Sequence, residues 1–110
     1  MSSVSTHVLD TGVGQPAAGV PVRLSRITDG RDDVLVGSGT TDADGRITDF
    51  EPGLQPGKYQ LWFDIATYAE ASGQSIFFPE VTVTFTISDE RHHHVPLLLS
   101  PFAYSTYRGS

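Results

Sequence analysis

Val81-Thr82-Val83-Thr84-Phe85-Thr86-Ile87 alternates without a break, with Val81, Val83, Phe85 and Ile87 on one face and three threonines on the other. A period of two is the signature of a β-strand buried on one side. Tyr59, Leu61, Phe63 and Ile65 repeat it, with Gln60, Trp62 and Asp64 facing away, and Val20, Val22 and Leu24 make a third apolar face. Val4 to Leu9, Val34 to Val36, His92 to Leu99 and Phe102 to Tyr107 are further strand candidates. Turns fall between them at Asp10-Thr11-Gly12-Val13-Gly14, Asp29-Gly30, Asp44-Gly45 and Pro56-Gly57. Only Thr67 to Ser72 reads as helix, with Thr67 as the expected cap, Glu70 three residues on and Gly73 as the stop. Seven or eight short strands with one helical interruption predict an all-β sandwich.

The chain has 110 residues, a formal charge of −6, no cysteine and 38% hydrophobic residues. That length fits one domain, residues 1–110, with a core large enough to dispense with staples. Without cysteine there is no disulfide framework, thiolate zinc site, iron–sulfur cluster or cysteine nucleophile. The acidic balance argues against nucleic acid and anionic membrane as partners, since both call for a basic face. No apolar run approaches the ~20 residues of a membrane span, and the first residues have neither the basic nor the apolar region of a secretory signal. A cytoplasmic location is the simplest expectation.

Arg91-His92-His93-His94 is the unusual local feature. On a strand His92 and His94 share one face, while His93 joins Val95, Leu97 and Leu99 on the other. Two imidazoles so placed suit a metal ion, acid/base chemistry or a plain surface or subunit contact, and spacing alone leaves all three open. His7 lies in a different strand, where it can face core, solvent or a site. Arg46 follows Asp44-Gly45 and by itself reads as a solvated turn charge. The terminal Tyr107-Arg108-Gly109-Ser110 follows an alternation of Phe102, Tyr104 and Thr106 with Ala103, Ser105 and Tyr107, so the tail is expected to continue a strand. Gly53-Leu54-Gln55-Pro56-Gly57-Lys58 is one residue short of a phosphate loop, and Gly37-Ser38-Gly39 lacks the spacing of a nucleophile elbow.

Three segments together resemble the transthyretin-related 5-hydroxyisourate hydrolases: Ser5-Thr6-His7-Val8-Leu9-Asp10-Thr11 with Gly14 to Val22 behind it, Thr41-Asp42-Ala43-Asp44-Gly45-Arg46, and His92 to Pro101 running into Tyr104-Ser105-Thr106-Tyr107-Arg108-Gly109-Ser110. The likeness spans nearly the whole chain, and the terminal Tyr-Arg-Gly-Ser is its most specific part. The resemblance implies a transthyretin-like two-sheet sandwich of about eight strands and a short helix. It also implies a homotetramer, a dimer of dimers, with its site at the dimer–dimer interface and the first and last two strands in the inner sheet. An independent hint of assembly is that His94 and Leu98 share a face opposite Val95, Leu97 and Leu99, leaving apolar residues on both sides of one strand.

Carried over by position, the family's catalytic residues fall on His7, Arg46, His94 and Ser110, and its substrate-binding residues on Tyr107, Arg108 and Gly109. His92 is the other histidine of the pair, expected to act behind His94. Position 93 is often tyrosine in the family and is His93 here, and Phe102-Ala103 stands where Tyr-Gly is common. The implied reaction is hydrolysis of 5-hydroxyisourate to 2-oxo-4-hydroxy-4-carboxy-5-ureidoimidazoline in urate catabolism, with no metal and no cofactor. The alternative is a transthyretin-like carrier that holds an aromatic ligand without turning it over.

Overall fold

The alternation at 81–87 becomes a strand flanked on one side only, and the sheet around it is built from the other two clear apolar faces. Residues 2–28, 33–48, 50 and 52–109 are described in the computed structural model. The expected turn at Asp29-Gly30 therefore lies outside the described residues. Among them the chain forms β1 (Ser3–Asp10), β2 (Gln15–Pro16), β3 (Pro21–Ile27), β4 (Val34–Thr40), β5 (Arg46–Ile47), β6 (Gly57–Asp64), α1 (Ile65–Ser72), β7 (Glu80–Ile87), β8 (His92–Leu99) and β9 (Tyr104–Thr106). The tail strand is shorter than the Phe102–Tyr107 alternation suggested.

One sheet runs β4-β3-β6-β7, antiparallel throughout. The other runs β2-β1-β8-β9, with β5 also on β1. Its centre is the parallel pair of β1 and β8, in a register that sets Ser3 beside His92, Ser5 beside His94 and His7 beside Pro96. The far edge of β1 is divided between two short antiparallel partners. β5 pairs Thr6 with Ile47 and His7 with Arg46, and β2 pairs Leu9 with Pro16.

The core lies between the sheets. Val4, Val8, Val95, Leu97 and Leu99 meet Val22, Leu24, Tyr59, Leu61, Phe63, Val81 and Ile87, all buried. Burying a side chain of this kind contributes about 1.5–3 kcal/mol, so the alternation pins every strand's register: a one-residue slip would expose its entire apolar set. It also fixes what faces outward. Ser3, Ser5, His7 and Leu9 project from the opposite side of β1 to Val4, Thr6 and Val8, and His92 and His94 from the opposite side of β8 to His93, Val95 and Leu97.

The helix begins two residues before the expected start. Its cap is Asp64, not Thr67: the Asp64 carboxylate accepts hydrogen bonds from the Thr67 amide at 3.1 Å and the Thr67 hydroxyl at 2.7 Å. A carboxylate at the N-cap satisfies otherwise orphaned amides, and Thr67 becomes one of the donors it holds. Gly73 ends the helix as expected, at φ 70°. From the helix, Tyr68 reaches across to β1 and donates to the buried Asp10 carboxylate at 2.6 Å. Gln74 donates to the same oxygen at 2.9 Å and the Gly12 amide to the other at 3.0 Å. This network ties the helix to the sheet that bears the histidines.

Candidate active site on the outer face of the histidine sheet

The first, fifth and eighth strands bring His7, Arg46, His92 and His94 to the outer face of one sheet. Arg46 is delivered there by a turn whose chemistry is in the sequence. Asp42 closes it, its carboxylate accepting from the amides of Asp44 at 2.9 Å and Arg46 at 3.0 Å. Gly45, at φ 76°, then passes close against β1. A Cβ there would lie 2.4 Å from the Val8 carbonyl oxygen, which leaves room for glycine alone. The Val8 amide donates to the Gly45 carbonyl at 2.7 Å, and Arg46 comes out beside His7. Arg46 is thus more than a loose turn charge.

The imidazoles are held individually. His7 Nε2 lies 2.9 Å from the Asp44 carbonyl oxygen. A carbonyl only accepts, so Nε2 carries the proton and Nδ1 is the nitrogen free for chemistry. His94 Nδ1 lies 2.7 Å from the Ser5 hydroxyl, and the same hydroxyl lies 2.7 Å from His92 Nε2. The remaining His92 nitrogen, Nδ1, lies 2.5 Å from the Ser3 hydroxyl. Burial pushes the His94 pKa below 6.5, and the electrostatic influence of His7, His92 and the Arg46 guanidinium pushes the same way. A cleft of about 210 Å³ opens here, lined by Ser5, Thr6, Arg46, Thr48, His92 and His94.

The tail closes over His94. The Gly109 amide donates to the His94 carbonyl at 2.8 Å in an antiparallel bridge. Gly109 lies so near the ring that a Cβ would be 2.5 Å from His94 Cδ2. Tyr107 and Arg108 line, with His93, His94 and Phe85, a second cavity of about 350 Å³. Ser110 lies outside the described residues. His93, 5% exposed, faces the interior as its parity required, with Nε2 3.6 Å from Asp89 Oδ1. Asp89 also pairs with Arg91 at 3.0 Å and approaches Arg108 at 4.0 Å. Among the described residues no group of three or more His, Asp or Glu side chains is placed to hold a metal ion.

Other residues of the site were not read from the sequence: Ser3 and Ser5, which bind the imidazoles, Thr6 and Thr48, which line the cleft, Asp42, which presents Arg46, and Asp44, whose carbonyl holds His7. Ser3 and Ser5 carried a usable signal, because their parity puts them on the His7 face of β1. Which face of β8 lies beside them is settled only by the parallel pairing.

Fold and site together define a class: a two-sheet β-sandwich of the transthyretin type with paired histidines and an arginine on one outer face. The comparisons agree on the fold and the family. A 5-hydroxyisourate hydrolase from Mus musculus is 45% identical, the match covering 99% of this chain and 96% of that protein. The solved structure of Klebsiella pneumoniae 5-hydroxyisourate hydrolase superposes with a TM-score of 0.89 at 38% identity, covering both chains fully. Sea bream transthyretin in complex with thyroxine superposes at 0.90 and 31% identity, covering 96% of this chain and 93% of that one. The chain belongs to the HIUase/Transthyretin family, whose pattern it matches over residues 4–109.

Proposed function

We propose that this chain hydrolyses 5-hydroxyisourate to 2-oxo-4-hydroxy-4-carboxy-5-ureidoimidazoline, a step of urate catabolism, by metal-independent general acid/base catalysis. The observation that carries this reading is the meeting of His7, Arg46 and His94 under the Gly109 tail, in a chain 45% identical to a mouse 5-hydroxyisourate hydrolase. Attack of water on a ring carbonyl calls for a base, a cation for the developing oxyanion and a proton for the leaving nitrogen. His94, held neutral by its surroundings, suits the base. His7, anchored through Nε2–H, presents Nδ1 as its partner in proton handling. Arg46 supplies a permanent cation with a planar fork for the oxyanion and the substrate's carbonyl oxygens.

In this reading Tyr107, Arg108 and Gly109 wall and orient the flat substrate, and Ser110 holds water or a ring N–H. The chain works as one domain within a homotetramer, a dimer of dimers with the site at the dimer–dimer interface, in the cytoplasm. The exposure of Phe77, Phe102, Tyr104 and Tyr107, 71%, 74%, 42% and 58%, is what a surface covered by further subunits would carry. The rival reading, a carrier of an aromatic ligand, draws on the likeness to the sea bream thyroxine complex.

The test is the ultraviolet decay of 5-hydroxyisourate freshly made from urate and freed of urate oxidase. The native chain should accelerate it far above the buffer rate, and His94→Ala should lose about two to four orders of magnitude of that acceleration. Folded, tetrameric protein that leaves the buffer rate unchanged would overturn the hydrolase in favour of the carrier.

A further inference from the structure

Ser5 is 7% exposed and carries no chemistry of its own in the reaction, yet its hydroxyl sits between two imidazoles, 2.7 Å from each. A hydroxyl has one proton. With an imidazole nitrogen on either side it must donate to one and accept from the other. The tautomers of His92 and His94 are therefore set against each other through Ser5.

We infer that Ser5 is a positioning residue that fixes the tautomer of His94, with His92 acting through it, so that Nε2 of His94 is the nitrogen that takes the proton from water. The deduction runs from the geometry. Nδ1 of His94 is turned to Ser5, which leaves Nε2 for the reacting groups. A neutral imidazole carries one N–H, so Nε2 is basic only when Nδ1 is protonated. Nδ1–H then donates to the Ser5 oxygen, and the Ser5 proton must go to Nε2 of His92. His92 in turn is protonated on Nδ1 and donates to Ser3.

The chain of donors runs from His94 through Ser5 and His92 to the Ser3 oxygen, which accepts at its end, so the proton between each pair is assigned. When His94 becomes imidazolium in the reaction, Nδ1–H still has an oriented acceptor. That is the service an orienting group renders to a catalytic histidine in other hydrolases, performed here by a serine and a second imidazole. It gives His92 a role without contact to the substrate. It also explains why β1 presents two small hydroxyl residues, Ser3 and Ser5, where the parallel register sets them beside His92 and His94.

This inference rests on the hydrolase reading, and the experiment separates the two. Long-range ¹H–¹⁵N spectra of the intact protein assign the protonated nitrogen of each imidazole directly, with or without turnover. Above the imidazole pKa the unmodified chain should show His94 protonated on Nδ1. His92→Phe removes the acceptor of the Ser5 proton while leaving Ser5 in place, so Ser5 should donate to His94 and move its proton to Nε2. In the decay assay with freshly made 5-hydroxyisourate, Ser5→Ala should lower kcat about ten- to a hundredfold with KM nearly unchanged, and Ser5→Thr should restore most of it. His94 protonated on Nε2 in the unmodified chain, or a Ser5→Ala enzyme with unaltered kcat, would overturn the assignment. An unmodified chain that shows the Nδ1–H tautomer but no turnover would sink the hydrolase reading and leave the Ser5 linkage standing.

Discussion

Replacing Gly109 by alanine puts one methyl group where the tail crosses His94. The Cβ would fall 2.5 Å from His94 Cδ2, 3.1 Å from Cγ and 3.2 Å from the His94 Cβ. Carbon–carbon contacts settle near ~3.5–4.0 Å, so about 1 Å of separation has to be found. Backbone strain is not the cause, because φ of Gly109 lies outside the left-handed range. Only two movements relieve the clash. Rotating the ring breaks its 2.7 Å contact with Ser5, and lifting the tail breaks the 2.8 Å bridge from the Gly109 amide to the His94 carbonyl. Either one misplaces a part of the site by about 1 Å, an error that costs on the order of a hundredfold in rate. The assay is the decay of fresh 5-hydroxyisourate, with Ser105→Ala, an exposed side chain on the same tail, as comparator. Gly109→Ala should lose about a hundredfold in kcat with its unfolding midpoint close to that of the unmodified chain. Activity within about threefold of the unmodified chain would refute the argument that the tail is held against the ring.

Two further outcomes follow from the pKa shifts. Burial and the electrostatic influence of His7, His92 and Arg46 lower the pKa of His94, so the acid limb of kcat/KM should have its midpoint below 6.5, and a midpoint at or above that value would count against His94 as the base. The unfolded chain protonates this imidazole first, so its contribution to stability is complete above about 6.5 and is lost as pH falls towards the folded value. For Asp10, burial alone would raise the pKa, but the bonds it accepts from Tyr68, Gln74 and the Gly12 and Val13 amides outweigh that and hold it below 3.8. Its contribution is present above about 3.9 and lost as pH falls through the folded value. Tyr68, raised to about 12 by burial and by Asp10, contributes fully below about 10 and loses that contribution as pH rises to about 12. Tyr68→Phe should therefore cost about 1.5–3 kcal/mol in urea unfolding and raise the midpoint of acid unfolding, while an unchanged acid midpoint would show that the network is not what stabilises β1 against the helix.

Much of this molecule was legible along the chain. The period-two stretches at Val20 to Leu24, Tyr59 to Ile65, Val81 to Ile87 and His92 to Leu99 each contain a strand with its apolar face turned inward, although Val20 lies just before β3 and Ile65 opens the helix instead of extending β6. Parity also separated His93 from His92 and His94, and the order and spacing of His7, Arg46, the histidine pair and the tail pointed to the family. These are local properties: which side a residue faces is set by alternation, and apolar burial decides which side is in. Other features depend on which segments become neighbours. The helix cap moved to Asp64 because its carboxylate, and not the Thr67 hydroxyl, faces the free amides of the first turn. Ser5 reads as an ordinary strand serine until the parallel register of β1 and β8 sets it between two imidazoles, 87 and 89 residues away along the chain. Arg46 reads as a turn charge until Gly45 brings it against β1. Sequence alone determined the longer strands, their inner faces and the inventory of chemical groups, because alternation and residue chemistry are written locally, whereas the two-residue β2 and β5 exist only as partners of β1. Tertiary structure decided which hydroxyl meets which imidazole and which nitrogen is left free, because hydrogen-bond partners are chosen by strand register across the sheet.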